Sequence, residues 1–156
     1  MVDCELVKFF IENIEYENKG FMLDTGHLLN TNLNINTEED GIDFLIDTVN
    51  NLGELKKYIK GIHLSKSISS KYVKEQISKF DNIGTKVDVF NEEIYFHVAK
   101  IDEHKPFTNK KIKELLNIIN PKYLVYEFIT ISLDELSEYI NIQDEALGFS
   151  KEVVTW

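Results

Sequence analysis

The chain has 156 residues, 43% apolar and 12% aromatic, which is enough to bury a hydrophobic core in one domain. Its formal charge is −10, and this acidity argues against a broad nucleic-acid-binding face, because such faces depend on Lys and Arg. Cys4 is the single cysteine, which excludes an internal disulfide and leads us to expect a cytoplasmic protein. We expect no membrane span, since no apolar stretch approaches about 20 residues.

The first half of the chain alternates between helical and strand patterns. Apolar residues at helical spacing predict a helix over 4–18, and the apolar run at 20–24 predicts a buried strand. Thr37 with Asp40 three residues later predicts a capping box and a second helix. The apolar face of that helix consists of Ile42, Leu45, Ile46 and Val49. A second strand is predicted at 59–64.

The middle of the chain is harder to interpret. Residues 71–80 have a helical pattern. Residues 94–101 alternate around Tyr95, His97 and Ala99, which predicts a strand. That strand could belong to the main sheet or to a β-hairpin inserted above it. His97 has no evident chemical partner in the sequence, and we interpret it as a structural or surface residue.

The last third returns to the alternating pattern. A helix over 109–119 is followed by a strand over 122–128. Ser132 and Glu135 predict another capping box, which opens a final helix that ends near Leu147. Strands separated by amphipathic helices imply βαβ units and a parallel sheet, so we expect a single α/β domain over residues 1–156.

Each predicted strand ends in a side chain that can bind a metal ion. The residues are Asp24, His63 and Glu127, with Asp102 and His104 between the last two. In a β/α barrel the carboxyl ends of neighbouring strands meet at one mouth, so these groups would converge there. Carboxylate and imidazole ligands suit Mn²⁺, Zn²⁺, Co²⁺ or Fe²⁺. Glu127 is the most informative, because a carboxylate in an apolar strand is costly unless it is paired.

Four segments of the chain resemble elements of one enzyme superfamily. They are GFMLDTGHLLNTN at 20–32, IKGIHLSKS at 59–67, IDEHKPF at 101–107 and IINPKYLVYEF at 118–128. In this order they resemble the sixth strand, the seventh strand, the Asp-x-His element and the eighth strand of the xylose isomerase-like TIM-barrel superfamily. That superfamily includes sugar phosphate isomerases and epimerases and endonuclease IV-type enzymes. The resemblance implies a partial (β/α)₈ barrel, about its last three β/α units, because a complete barrel needs about 250 residues.

The resemblance also implies roles for individual residues. The implied metal ligands are Asp24, His63 and Glu127, joined in the endonuclease branch by Asp102 and His104. His27 matches a residue that contacts the substrate in epimerases and binds metal in endonucleases, and Glu127 matches a catalytic carboxylate. The chain departs from the superfamily after the seventh-strand histidine, where Ser65 and Lys66 replace an Asn-Asp or similar acidic pair.

Three functions stay open at this level. The first is a metal-dependent isomerase or epimerase that acts on a small sugar-like molecule with Mn, Zn or Co as its cofactor. The second is an endonuclease IV-like phosphodiesterase acting on abasic DNA, as in AP endonuclease family 2, although the acidic charge makes nucleic acid an unfavourable partner. The third is a non-enzymatic partial barrel that serves as a binding or assembly module. An uncovered strand edge invites pairing, so we expect a homo-oligomer or a partner chain that completes the barrel.

Overall fold

A computed structural model describes residues 3–83 and 93–149, without the side chains of residues 80–83 and 93. The α-helices are α1 (Cys4–Asn13), α2 (Thr25–Asn30), α3 (Glu38–Asn51), α4 (Ser70–Ile83), α5 (Glu93–Ile101), α6 (Ile112–Ile119) and α7 (Leu133–Leu147), with a 3₁₀ helix at Gly53–Tyr58. The strands are β1 (Phe21–Asp24), β2 (Ile59–Leu64) and β3 (Tyr123–Tyr126). They form a parallel sheet in the order β1-β2-β3.

One face of this sheet is covered by helices. Leu23, Ile62 and Leu124 are neighbours across the three strands and point toward the core cluster. The helices α3 and α6 complete that cluster with their fully or almost fully buried apolar residues, which are Ile42, Leu45 and Val49 from α3 and Ile112, Leu115 and Ile119 from α6. The mixed α/β fold with parallel strands therefore agrees with the expected fold class at this coarser level.

The opposite face of the sheet is largely bare among the described residues. Met22, Gly61 and Tyr123 are register partners on this face. Met22 is 48% exposed, Tyr123 is 54% exposed and Val125, one layer further along, is 43% exposed. Apolar side chains on both outer strands are thus left in solvent on the face that does not carry the helices.

Local capping signals position the long helices as the sequence predicts. The Thr37 hydroxyl accepts a hydrogen bond from the Asp40 N–H, and the Asp40 carboxylate accepts one from the Thr37 N–H. The Ser132 hydroxyl likewise accepts from the Glu135 N–H, while the Glu135 carboxylate reaches back to the N–H of Ile131. Both capping predictions are confirmed, the second with a shifted return bond.

Other predicted boundaries need correction. The helix predicted at 4–18 ends at Asn13, because Ile14 adopts an extended backbone. The third strand is shorter than 122–128, and Glu127 is the first residue beyond it. The helix predicted at 109–119 begins at Ile112. None of the helices in the described ranges is both long and apolar enough to cross a membrane.

The strand predicted at 94–101 is wrong, since these residues form the helix α5. Its half-buried residues are Ile94, His97 and Ile101, which recur at helical spacing and not at the spacing of two that a strand requires. The alternation that suggested a strand instead includes Tyr95, which is 78% exposed. His97 fits its interpretation as a structural residue, because its Nδ1 lies 2.7 Å from the hydroxyl of Tyr72 on α4.

Candidate metal centre

The first candidate cluster joins the carboxyl ends of all three strands. Asp24 ends β1, His63 lies near the end of β2, and Glu127 follows β3. One potential ligand atom from each residue lies within 4.8 Å of the others. The Nδ1 atom of His63 is 3.1 Å from Oε2 of Glu127 and 3.8 Å from Oδ2 of Asp24. Parallel register places the strand ends side by side, so side chains 39 and more residues apart share one small volume.

A second cluster lies directly beside the first. His27, Asp102 and His104 also bring one ligand atom each within 4.8 Å of one another. Nε2 of His27 lies 3.0 Å from Oδ2 of Asp102, and Nε2 of His104 lies 3.0 Å from Oδ1. The two clusters touch, because Nδ1 of His27 is 3.0 Å from Oδ2 of Asp24. All six residues that the sequence singled out therefore meet at one end of the sheet.

The two carboxylate oxygens of Asp24 make different contacts. Its Oδ1 accepts a 2.9 Å hydrogen bond from the N–H of His27 and so caps the first turn of α2. Its Oδ2 faces the imidazoles of His27 and His63. The capping interpretation and the ligand interpretation of Asp24 are thus compatible, because each uses a different oxygen.

The ring of His104 is oriented by a backbone carbonyl. Its Nδ1 lies 2.9 Å from the carbonyl oxygen of Glu127, which can only accept a hydrogen bond, so Nδ1 must carry the proton. In the neutral imidazole, Nε2 then presents a lone pair to the carboxylate of Asp102, and two lone pairs repel at 3.0 Å. A metal ion bound by both atoms would remove this repulsion. This orientation by a carbonyl is typical of metal-binding histidines.

His27 has the same requirement on a more exposed ring. Both of its nitrogens face carboxylate oxygens at 3.0 Å, and a neutral imidazole can donate to only one of them. Burial alone would lower the pKa of His27, but the hydrogen bond to Asp102 and the charges of Asp24 and Glu127 outweigh it and raise the pKa above 6.5. The surroundings of His27 thus favour positive charge, whether from a proton or from an ion.

The Glu127 carboxylate supplies an independent test of whether these residues fit a metal ion. Its Oε2 is buried and accepts no hydrogen bond from the described residues. His63 is close at 3.1 Å, but its N–H does not point along the line that a hydrogen bond needs. A buried carboxylate oxygen without a donor is costly, and a divalent cation would satisfy it. The mixed carboxylate and imidazole donors suit Mn²⁺, Zn²⁺ or Co²⁺.

Comparison with known proteins adds nothing to this geometry. No protein-family model, curated protein or solved structure matches this chain. The roles of the six residues as ligands, and of Glu127 as a catalytic group, accordingly stay predictions that depend on the site itself.

The structure also adds polar residues that sequence reasoning missed. The amide of Asn30 donates to Oδ1 of Asp102, and the hydroxyl of Ser67 lies 3.4 Å from the same oxygen. The Ser69 hydroxyl donates to Asn30. Serines at 65, 67 and 69 recur with a period of two directly after β2, and all three are buried. This spacing could have predicted an extended segment whose serines all lie on the same side, next to the end of the strand that carries His63.

Proposed function

We propose that this chain is the C-terminal part of a (β/α)₈ barrel that holds divalent transition-metal ions at its mouth. Support comes from three parallel strands in chain order, helices on one face, and the Asp24, His63 and Glu127 ligand groups at the carboxyl ends. The adjacent cluster with Asp102 offers a second cation position. Oε2 of Glu127, which is buried and accepts no hydrogen bond from any described residue, is the single observation that favours a metal most directly.

The activity that we propose is isomerisation or epimerisation of a small sugar-like molecule. A bound divalent ion would polarise a carbonyl oxygen and fix a neighbouring hydroxyl oxygen. Glu127 would then take a proton from the carbon beside the carbonyl and return it to the adjacent carbon on the same face, which isomerises the sugar, whereas epimerisation would need a second acid on the opposite face. His27 is 61% exposed over the cluster, which suits a side chain that orients the substrate's hydroxyl groups. The net charge of −10 is compatible with an uncharged polyol substrate.

Metal analysis tests the foundation of this proposal. Purified protein is dialysed against Zn²⁺, Mn²⁺ or Co²⁺, and bound metal is measured by mass spectrometry for the wild type, His63→Ala and His97→Ala. We expect metal in the wild type and in His97→Ala, since His97 bonds to Tyr72 outside both clusters, and less metal in His63→Ala. A folded wild type that binds none of the three ions overturns the proposal.

Solvent exchange tests the chemistry. The metal-loaded protein is incubated with a panel of aldoses and ketoses in D₂O, and incorporation of deuterium beside the carbonyl is followed by NMR. We expect exchange that disappears in Glu127→Gln. Metal binding without exchange on any member of the panel would reject the isomerase assignment and leave the metal centre standing.

A phosphodiesterase acting on abasic DNA is the second candidate. The observation in its favour is the cluster of His27, Asp102 and His104, which matches the additional ligands implied by the endonuclease resemblance. The acidic charge opposes it. Incision of an abasic duplex by the metal-loaded wild type, but not by His104→Ala, would select this function over the first.

We also propose a partner chain or a second copy that covers the bare sheet face. Met22, Tyr123 and Val125 are exposed there, below the metal ligands, and β1 and β3 lie at the sheet edges. In a complete barrel this face is packed with side chains from the other strands. Analytical ultracentrifugation should therefore show a dimer or larger species, and a stable monomer at tens of micromolar would contradict this part.

A further inference from the structure

The carboxylate of Asp102 is held by polar neighbours that are not themselves metal ligands. The Asn30 side-chain amide donates to Oδ1 at 3.2 Å, and the Ser67 hydroxyl lies 3.4 Å from the same oxygen. The other oxygen, Oδ2, faces His27. Oδ1 also lies 3.0 Å from Nε2 of His104, so the two polar neighbours hold the carboxylate with one oxygen directed at each imidazole.

Asn30 is itself oriented at both ends. Its amide oxygen accepts a 3.0 Å hydrogen bond from Ser69, a residue that is 6% exposed, which determines which side of the amide carries the donor. Asn30 is also the last residue of α2, the helix that Asp24 caps and that carries His27. One short helix thus connects the first cluster, the second cluster and the amide that orients Asp102.

We infer that Asn30 is a positioning residue that controls occupancy of the second cation position, between His27, Asp102 and His104. The inference rests on the metal centre proposed above. Without the amide, the carboxylate of Asp102 loses the hydrogen bond to Oδ1 and can rotate, so that its two oxygens no longer each face one imidazole. Residues that orient metal ligands typically change metal affinity about 10- to 100-fold when removed. The side chain of Asn30 is hydrogen-bonded to Asp102 and Ser69 and not to the first cluster within the described part of the chain, so the affinity of the first cluster should not change.

Zn²⁺ titration of four proteins by calorimetry tests this inference. They are the wild type, Asn30→Leu, Asn13→Leu and the His63→Ala/Asn30→Leu double variant. Asn13→Leu is the matched control, because the Asn13 amide donates a 2.8 Å hydrogen bond to Phe9 in α1, away from both clusters. Ser67→Ala is a second probe in case Asn30→Leu does not fold, because the Ser67 hydroxyl donates to the same Oδ1 of Asp102 and also accepts a 3.2 Å hydrogen bond from the N–H of His104.

We expect two ions in the wild type and in Asn13→Leu. Asn30→Leu should keep one ion at unchanged affinity and bind the other at least about tenfold more weakly. In the double variant both positions should be weak. Ser67→Ala should weaken the same single position.

Two outcomes overturn the inference in distinguishable ways. If the wild type binds two ions and neither Asn30→Leu nor Ser67→Ala changes either affinity, the inference is wrong and the metal centre stands. If the wild type binds no Zn²⁺, the metal centre and the inference fall together. A wild type with a single ion whose affinity depends on His63 and not on residue 30 rejects the second position alone.

Discussion

Substitution of Glu38 by Gln should destabilise the whole domain, although Glu38 lies outside the metal centre. Its carboxylate accepts hydrogen bonds from the N–H groups of Thr108 and Asn109, from the Thr108 hydroxyl and from the Lys66 ammonium. Three of these distances are 2.6 Å and the fourth is 2.9 Å. These bonds fasten the first turn of α3 to the loop that follows His104.

The magnitude follows from the number of these bonds and their burial. Hydrogen bonds to charged groups contribute about 1.5–3 kcal/mol each, and the effect of losing several on one side chain is less than additive. The Glu38 side chain is only 17% exposed, so solvent replaces them poorly. We therefore expect Glu38→Gln to lower the free energy of unfolding by ~2–4 kcal/mol, which corresponds to a fall in Tm of roughly 4–16 °C for a chain of this size.

Urea unfolding at several pH values provides the assay. Burial alone would raise the pKa of Glu38, but the Lys66 ammonium and the backbone N–H of Asn109 lower it below its ordinary 4.5. A carboxylate with a depressed folded-state pKa contributes stability that is present above pH 4.5 and is lost as pH falls through the folded-state pKa. The difference between wild type and Glu38→Gln should thus be constant near neutrality and shrink in acid.

Glu39→Gln is the matched control on the same turn. Glu39 is 66% exposed and its nearest basic partner is Lys111 at 3.6 Å, so its loss should change stability by less than about 0.5 kcal/mol. Equal effects of Glu38→Gln and Glu39→Gln would refute the reasoning, and so would a difference that does not shrink in acid.

Three further results are expected. Asp24→Asn should abolish metal binding at the first cluster while keeping the helix cap, whereas Asp24→Ala should lose both and cost a further ~1 kcal/mol in chemical unfolding. The metal affinity of the second position should fall as the pH drops from 8, starting above pH 6.5, because the pKa of His27 is raised and protons compete with the metal ion for its imidazole. A metal affinity that is independent of pH between 8 and 6 would contradict this. Gly26→Ala should cost ~1–3 kcal/mol, since its Cβ would lie 2.6 Å from the Ser65 hydroxyl, and Ser65→Ala should recover part of that loss in the double variant.

The elements with strong local signals could be predicted from the sequence. β2 matches its predicted range, and the box between Thr37 and Asp40 forms with both hydrogen bonds, because capping depends on residues three apart. The proximity of Asp24 and His63 could also be predicted, since parallel strands bring these two residues into register, while their role as ligands stays a prediction. In each of these cases the structure is determined by residues a few positions apart or by the direction of the strands.

The features that the sequence did not predict depend on contacts between residues far apart in the chain. Asn30 and Asp102 are 72 residues apart, and Glu38 and Thr108 are 70 apart, so nothing in the local pattern of either partner announces the contact. The strand predicted at 94–101 is wrong because a segment of eight residues is too short to separate a period of two from a period of 3.6. Packing of α5 against α4, with Tyr72 beside His97, decides between the two periods.

The backbone and ring contacts of His104 allow a ligand role to be tested apart from a structural one. Its φ of 46° is left-handed, a conformation that glycine adopts freely and that costs a side chain about 1–2 kcal/mol. The hydrogen bond from Nδ1 of the ring to the Glu127 carbonyl offsets part of that cost, and it does not involve the second nitrogen, Nε2. The other nitrogen lies 3.0 Å from Oδ1 of Asp102, and only 5% of the His104 side chain is exposed, so this nitrogen is shielded from bulk water. Replacement of His104 by Gly should relieve the backbone strain, and if the second nitrogen is a ligand, the second position should lose its ion while the first position keeps its own.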